Sequence, residues 1–157
     1  MSLKMNFLLS VDIGLRTGLA LYSRDGLVWY RSQNYSSIKR LKSAVYGIFK
    51  ETPGISKLVL EGGGNLAEIW IKEATRRNID IFQISAETWR EIFLYDREQR
   101  SGKQAKKNAG ILAEKIIAWS GAKRPTSLRH DAAEAILAGL WGMLKIGWLK
   151  EIPREVK

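Results

Sequence analysis

The chain has 157 residues, with 26 Lys plus Arg against 16 Asp plus Glu and a formal net charge of +10. It has no cysteine and a single histidine, which excludes disulfides, thiolate nucleophiles, thiolate zinc sites and polyhistidine centres, so any metal must be held mainly by oxygen, favouring Mg²⁺ or Mn²⁺ over zinc. Its 45% apolar and 27% charged content suits a globular protein, and the charge excess suits a polyanionic partner, nucleic acid first, against the plainer reading of a solvated basic surface.

The chain opens with the apolar, partly β-branched run Phe7 to Val11, then Asp12, Ile13 and Gly14. This predicts a buried strand that presents Asp12 at its exit. An unpaired buried carboxylate costs on the order of 5 kcal/mol. Asp12 is therefore either the acid that begins a turn or an acid neutralised by a cation. Thr17 to Ser23 is a second strand, Arg24-Asp25-Gly26 a turn, and Leu27 to Tyr30 a third strand, which together predict an antiparallel meander. Ser36 or Ser37 caps a helix running to about Lys50, with Ile38, Leu41, Val45, Ile48 and Phe49 on one face.

Ile55 to Leu60 repeats the opening pattern, delivering Glu61 just before Gly62-Gly63-Gly64. Leu66 to Arg77 reads as a helix, Ile79 to Ile84 as a strand and Ala86 to Leu94 as a short helix. This strand–helix–strand succession implies parallel pairing with a right-handed crossover. A long helix spans Lys103 to Trp119, and a last one starts near Leu128 and carries Asp131, Glu134, Ile136, Leu137, Leu140 and Leu144. The tail from Ile152 reads as polar and frayed. The expected fold is α/β, a mixed five-stranded sheet with helices on both faces, forming a single domain over 1-157. Phe7 to Val11 is too short for a signal peptide, and Ala135 to Leu144 falls short of the roughly 20 residues that span a bilayer. A soluble, cytoplasmic protein with no membrane partner is expected.

In such a sheet ligands gather at the carboxyl ends of parallel strands, where Asp12 and Glu61 both sit. Asp131 and Glu134, three apart on a helix, share one face. Alone, that pair also reads as a solvated first turn favouring the helix dipole. Four acids converging on one point would repel unless divalent cations intervened, and two cations in such a cage hydrolyse phosphodiesters in line. His130 is either structural or a proton carrier or phosphate contact. Arg97, Arg100, Lys103, Lys106 and Lys107 crowd eleven residues, and the three lysines work against the dipole of the helix they begin. They read as phosphate contacts, or else as a solvated face.

Val11-Asp12-Ile13-Gly14-Leu15-Arg16-Thr17-Gly18, the strand-borne Glu61 and His130-Asp131-Ala132-Ala133-Glu134-Ala135 together resemble the RuvC-like Holliday junction resolvases of the RNase H-like superfamily, over nearly the whole chain. The resemblance implies a homodimeric endodeoxyribonuclease of DNA recombination and repair, which cuts opposing strands of a four-way junction to leave 5′-phosphate and 3′-hydroxyl ends. It implies Asp12, Glu61, Asp131 and Glu134 as catalytic residues and ligands of two Mg²⁺ or Mn²⁺ ions. It places the dimer contact on the helix Leu66 to Arg77. Two departures stand out: Glu134 occupies a position where bacterial members usually carry aspartate, and Gly62-Gly63-Gly64-Asn65 replaces their aromatic wedge. The variable loop points to a bacteriophage member, acting in the host cytoplasm. Trp70, on the following helix, reads as a core or dimer residue. Asp12-Ile13-Gly14 with Thr17 is also similar to the first phosphate loop of actin-like ATPases and sugar kinases, folds that need two such domains. A non-catalytic nucleic-acid binder of the same fold is the third reading.

Overall fold

The computed structural model describes residues 5–157. Its sheet comprises β1 (Phe7–Asp12), β2 (Arg16–Ser23), β3 (Gly26–Asn34), β4 (Ile55–Glu61) and β5 (Asp80–Ile84), in the spatial order β3-β2-β1-β4-β5. The first three strands form the antiparallel meander, and β1, β4 and β5 run parallel. Helices α1 (Ile38–Glu51) and α2 (Asn65–Arg76) follow β3 and β4, α3 (Ala86–Phe93) follows β5, and α4 (Gly102–Ser120) and α5 (His130–Lys145) complete the fold.

Period-two alternation divides the strand residues between two cores. Leu9, Val11, Leu58 and Leu60 pack with α1 and α2, whereas Leu8 and Val59 pack with α4 and α5. With both faces covered, the central strands read as unbroken apolar runs. Ser37 caps α1, its hydroxyl accepting from the Arg40 N–H, and Trp70 lies wholly buried beside Phe49, which makes it a core residue.

α5 is the central helix, with twelve of its sixteen residues buried. Small residues let it lie almost against the sheet. A Cβ at Gly139 would stand 2.3 Å from the Tyr22 ring, and a Cβ at Gly18 would stand 1.9 Å from the Asp131 carbonyl oxygen. The buried Tyr22 hydroxyl donates to the Ile136 carbonyl, fixing the helix along the strand.

Two expectations are corrected. β3 runs on to Asn34, its polar residues Arg31 to Asn34 pairing with Leu19 to Arg16. An edge strand meets water on its outer side, so no apolar alternation marks that half. The tail is not frayed: the Leu149 N–H donates to the Met143 carbonyl, the Val156 N–H to the Pro153 carbonyl, and Val156 is buried in the α4–α5 core. Ile152 and Val156, with a proline and two charged residues between them, are too few to give a periodic signal.

Candidate metal centre

The alternation that sends Leu8 and Ser10 towards α5 carries Asp12 to the same face, and Val59 brings Glu61 there likewise. Asp12 is the register partner of Glu61 on β4 and of Gly18 on β2, which in turn pairs with Ser32 on β3. Glu61, Asp12, Gly18 and Ser32 thus form one row across the sheet, and the first turn of α5 crosses above it. Just beyond the row β4 ends, as Gly62 turns away with φ +118° and donates its N–H to the Ile84 carbonyl. Carboxylate oxygens of Asp12, Glu61 and Glu134 come within 4.8 Å of one another.

Glu61 and Glu134 are only 5% and 8% exposed, so the three acids repel in a poorly solvated place. Burial foremost, then the charges of Glu61 and Glu134, pushes the Asp12 carboxyl up to about 9. Burial and the charge of Glu134 raise Glu61 to about 7, against the lowering effect of the Trp89 indole N–H, which donates to Glu61 Oε1. Arg90 Nη2 lies 3.0 Å and His130 Nε2 3.3 Å from Glu134 Oε1. An all-oxygen cluster short of positive charge fits a hard divalent cation, and Asp12, Glu61 and Glu134 are the residues that could hold one.

This electrostatic strain predicts a pH effect in cation-free protein. Both acids bind protons more tightly folded than unfolded, so stability is greatest below the ordinary carboxylate range near pH 4 and declines as pH rises towards 9. Replacing Asp12 by Asn removes the larger contribution. In chelator, Asp12→Asn should melt above the wild type at pH 9 by on the order of 5–10 °C, at about 2–4 °C per kcal/mol, with the gap closing towards pH 5. Parallel melting curves across that range would contradict the repulsion.

Of the four acids expected to converge, Asp12, Glu61 and Glu134 are the three whose oxygens meet within 4.8 Å. Asp131 turns towards β3, where the Ser32 hydroxyl lies 2.8 Å from both its carboxylate oxygens and the Ala132 N–H donates to Oδ1. Three residues of helix separate it from Glu134 by roughly 5 Å along the same face, enough to put the two above different strands of the row.

Trp89, Arg90 and Ser32 are site neighbours that the sequence reading missed. Trp89 is completely buried and Arg90 stacks on it at 5.4 Å. Both belong to α3, which begins at the carboxyl end of β5, the edge that also delivers Asp12 and Glu61. Position after a parallel strand was the signal available. Ser32, on an antiparallel edge strand, offered none. Arg97, Arg100, Lys103, Lys106 and Lys107 all lie exposed between α3 and the first turns of α4, outside the carboxylate cluster. None forms an ion pair among the described residues.

No protein-family model matches the sequence, and no curated protein matches it. Among solved structures, T. thermophilus RuvC in complex with Holliday junction substrate superimposes with a TM-score of 0.60 at 14% identity, covering 91% of this chain and 97% of that one. The fold is therefore RuvC-like, of the RNase H-like α/β type. Among the described residues no helix is long and apolar enough to cross a membrane.

Proposed function

We propose that this protein is a divalent-cation-dependent endodeoxyribonuclease that resolves four-way DNA junctions by paired nicking. The observation that carries the reading is the meeting of Asp12, Glu61 and Glu134 at the carboxyl edge of a RuvC-like sheet. The net charge of +10 supplies the attraction for DNA.

Asp12, Glu61 and Glu134 would hold Mg²⁺ or Mn²⁺, with Asp131 on the same helical turn as the fourth acid of a two-ion site. Bound there, the cations supply charge neutralisation at the scissile phosphate and acidify the attacking water. Trp89 orients the Glu61 carboxylate by its N–H. Arg90, held on Glu134, would meet a phosphate oxygen, and His130, held on the same carboxylate, would do so or carry a proton. Two coordinated cuts call for two copies of the chain. The face of α2, bordered by a groove of about 760 Å³ with half-exposed Ile38 and Tyr46, is the surface proposed for their contact.

The deciding experiment is a Mg²⁺ and Mn²⁺ titration of cleavage on a plasmid-borne cruciform, a flap and a linear duplex. The expected result is cation-dependent linearisation of the cruciform, with few nicked circles and little action on duplex. Tight junction binding without nicking at any cation concentration would instead favour a non-catalytic binder. Replacing Lys103, Lys106 and Lys107 with Ala should lower the slope of log affinity against log salt by about two to three, near one per lost phosphate contact. An unchanged slope removes that segment from the DNA surface.

A further inference from the structure

Among the described residues Arg90 is the one Lys or Arg that pairs with a member of the carboxylate cluster, its Nη2 lying 3.0 Å from Glu134 Oε1. The contact is sheltered, the two side chains being 23% and 10% exposed. Other contacts set its place: Arg90 lies over the ring of the buried Trp89, and the Gln99 amide donates to its carbonyl oxygen at 3.2 Å. Its Nε is buried and meets no acceptor among the described residues. Arg90 therefore brings the cluster charge more than it brings hydrogen bonds.

That charge stands where a divalent cation would bring its own. Asp12, Glu61 and Glu134 gather within 4.8 Å, and a cation drawn to them meets the guanidinium already on Glu134. At a separation of a few ångströms such like charges repel by far more than thermal energy, even at an effective dielectric of about 20. His130 shares Glu134 Oε1 at 3.3 Å but adds to the repulsion only when protonated, whereas the guanidinium is always charged. A phosphate relieves the conflict. It offers the planar fork of an arginine two oxygens, where Glu134 engages it through Oε1 alone.

We infer that Arg90 is an exchangeable counter-ion, which holds Glu134 in the DNA-free protein, competes there with the divalent cation, and passes to a DNA phosphate when substrate arrives. Cation and substrate then load together. This exchange rests on the endonuclease reading for its phosphate, but the competition itself can be measured without DNA. By linkage, the junction must tighten cation binding by the same factor as the cation tightens junction binding.

The test measures Mn²⁺ binding to the full chain from the paramagnetic resonance of the free ion, with melting curves to establish that each variant is folded. Without DNA, Arg90→Gln should bind Mn²⁺ at least about tenfold more tightly than the wild type, and Arg90→Lys, which keeps the charge, should stay within about threefold of it. A merely structural contact would give the opposite sign, since its loss loosens the site. The coupling is read in the Asp131→Asn chain, which keeps the three clustered acids, with a gel to establish that the junction stays whole. There Mn²⁺ and a four-way junction should tighten each other by one common factor of about ten or more, and adding Arg90→Gln should cut that factor at least about threefold. Equal or weaker Mn²⁺ binding by Arg90→Gln, or the same gain with Arg90→Lys, overturns the counter-ion and leaves the endonuclease reading standing. Mn²⁺ and junction that bind independently overturn it as well, and decide the matter alone if Arg90→Gln does not fold. If millimolar Mn²⁺ binds no form of the chain, with or without junction, the cation site is wrong and both readings fall.

Discussion

Asp12→Asn and Glu61→Gln are each expected to lower Mg²⁺- or Mn²⁺-supported nicking of a four-way junction by at least about a thousandfold, roughly 4 kcal/mol of barrier, while junction affinity stays within a few-fold. The two quantities separate because different residues supply them. On the proposed reading, affinity would come from the exposed cations at the start of α4, none of which pairs with the carboxylates. Cleavage, on the same reading, would need hard cations at the scissile phosphate, and each substitution would replace a charged oxygen ligand with a neutral amide of the same shape. Loss of fold is not an alternative explanation for lost cleavage, because Asp12→Asn relieves repulsion among three crowded acids and should raise the cation-free melting temperature. A variant that is folded, binds junction and still cuts within tenfold of the wild type would end the assignment of these two acids.

How much of this site the sequence disclosed depends on which residues carry it. Asp12 and Glu61 were legible because each is an acid where no acid belongs, closing an apolar strand ahead of a glycine break, and parallel pairing then made them register partners. Glu134 was legible only through its helical spacing from Asp131 and the resemblance to RuvC-like resolvases. Spacing alone did not show where Asp131 points: its backbone packs on Gly18 of β2 and its carboxylate reaches Ser32 on β3. The rest of the site consists of contacts between residues distant in sequence. Trp89 meets Glu61 across 28 positions, Arg90 meets Glu134 across 44 and Ser32 meets Asp131 across 99. Trp89 and Arg90 alternate with nothing, repeat nothing and sit on a helix of eight residues, so only the topology reveals them. The basic segment shows the opposite case, in which local crowding of charge was plain in the sequence and the fold leaves it exposed.

Gly18→Ala should be among the most damaging single-methyl changes in the molecule, for a reason that reaches the site. Its Cβ would lie 1.9 Å from the Asp131 carbonyl oxygen, 2.3 Å from the Asp131 carbonyl carbon and 2.9 Å from the Ala132 nitrogen. All three are backbone atoms of the first turn of α5, so no side chain can rotate out of the way, and the helix start must lift from the sheet. Overpacking of this kind costs typically 1–3 kcal/mol and sometimes more, and with backbone on both sides the upper end applies, a fall of about 6–12 °C in melting temperature. The lifted turn carries Asp131, and through the helix Glu134, away from Asp12 and Glu61. Cleavage should therefore fall more than tenfold even well below the melting transition, with junction binding retained. Gly47→Ala on α1 is the control, since nothing lies within 4 Å of its Cβ. A helical alanine there should add about 0.5–1 kcal/mol and leave cleavage untouched. A Gly18→Ala protein that melts within 2 °C of the wild type and cuts at the normal rate would show that α5 does not need its contact with β2 to hold Glu134 over the strand ends.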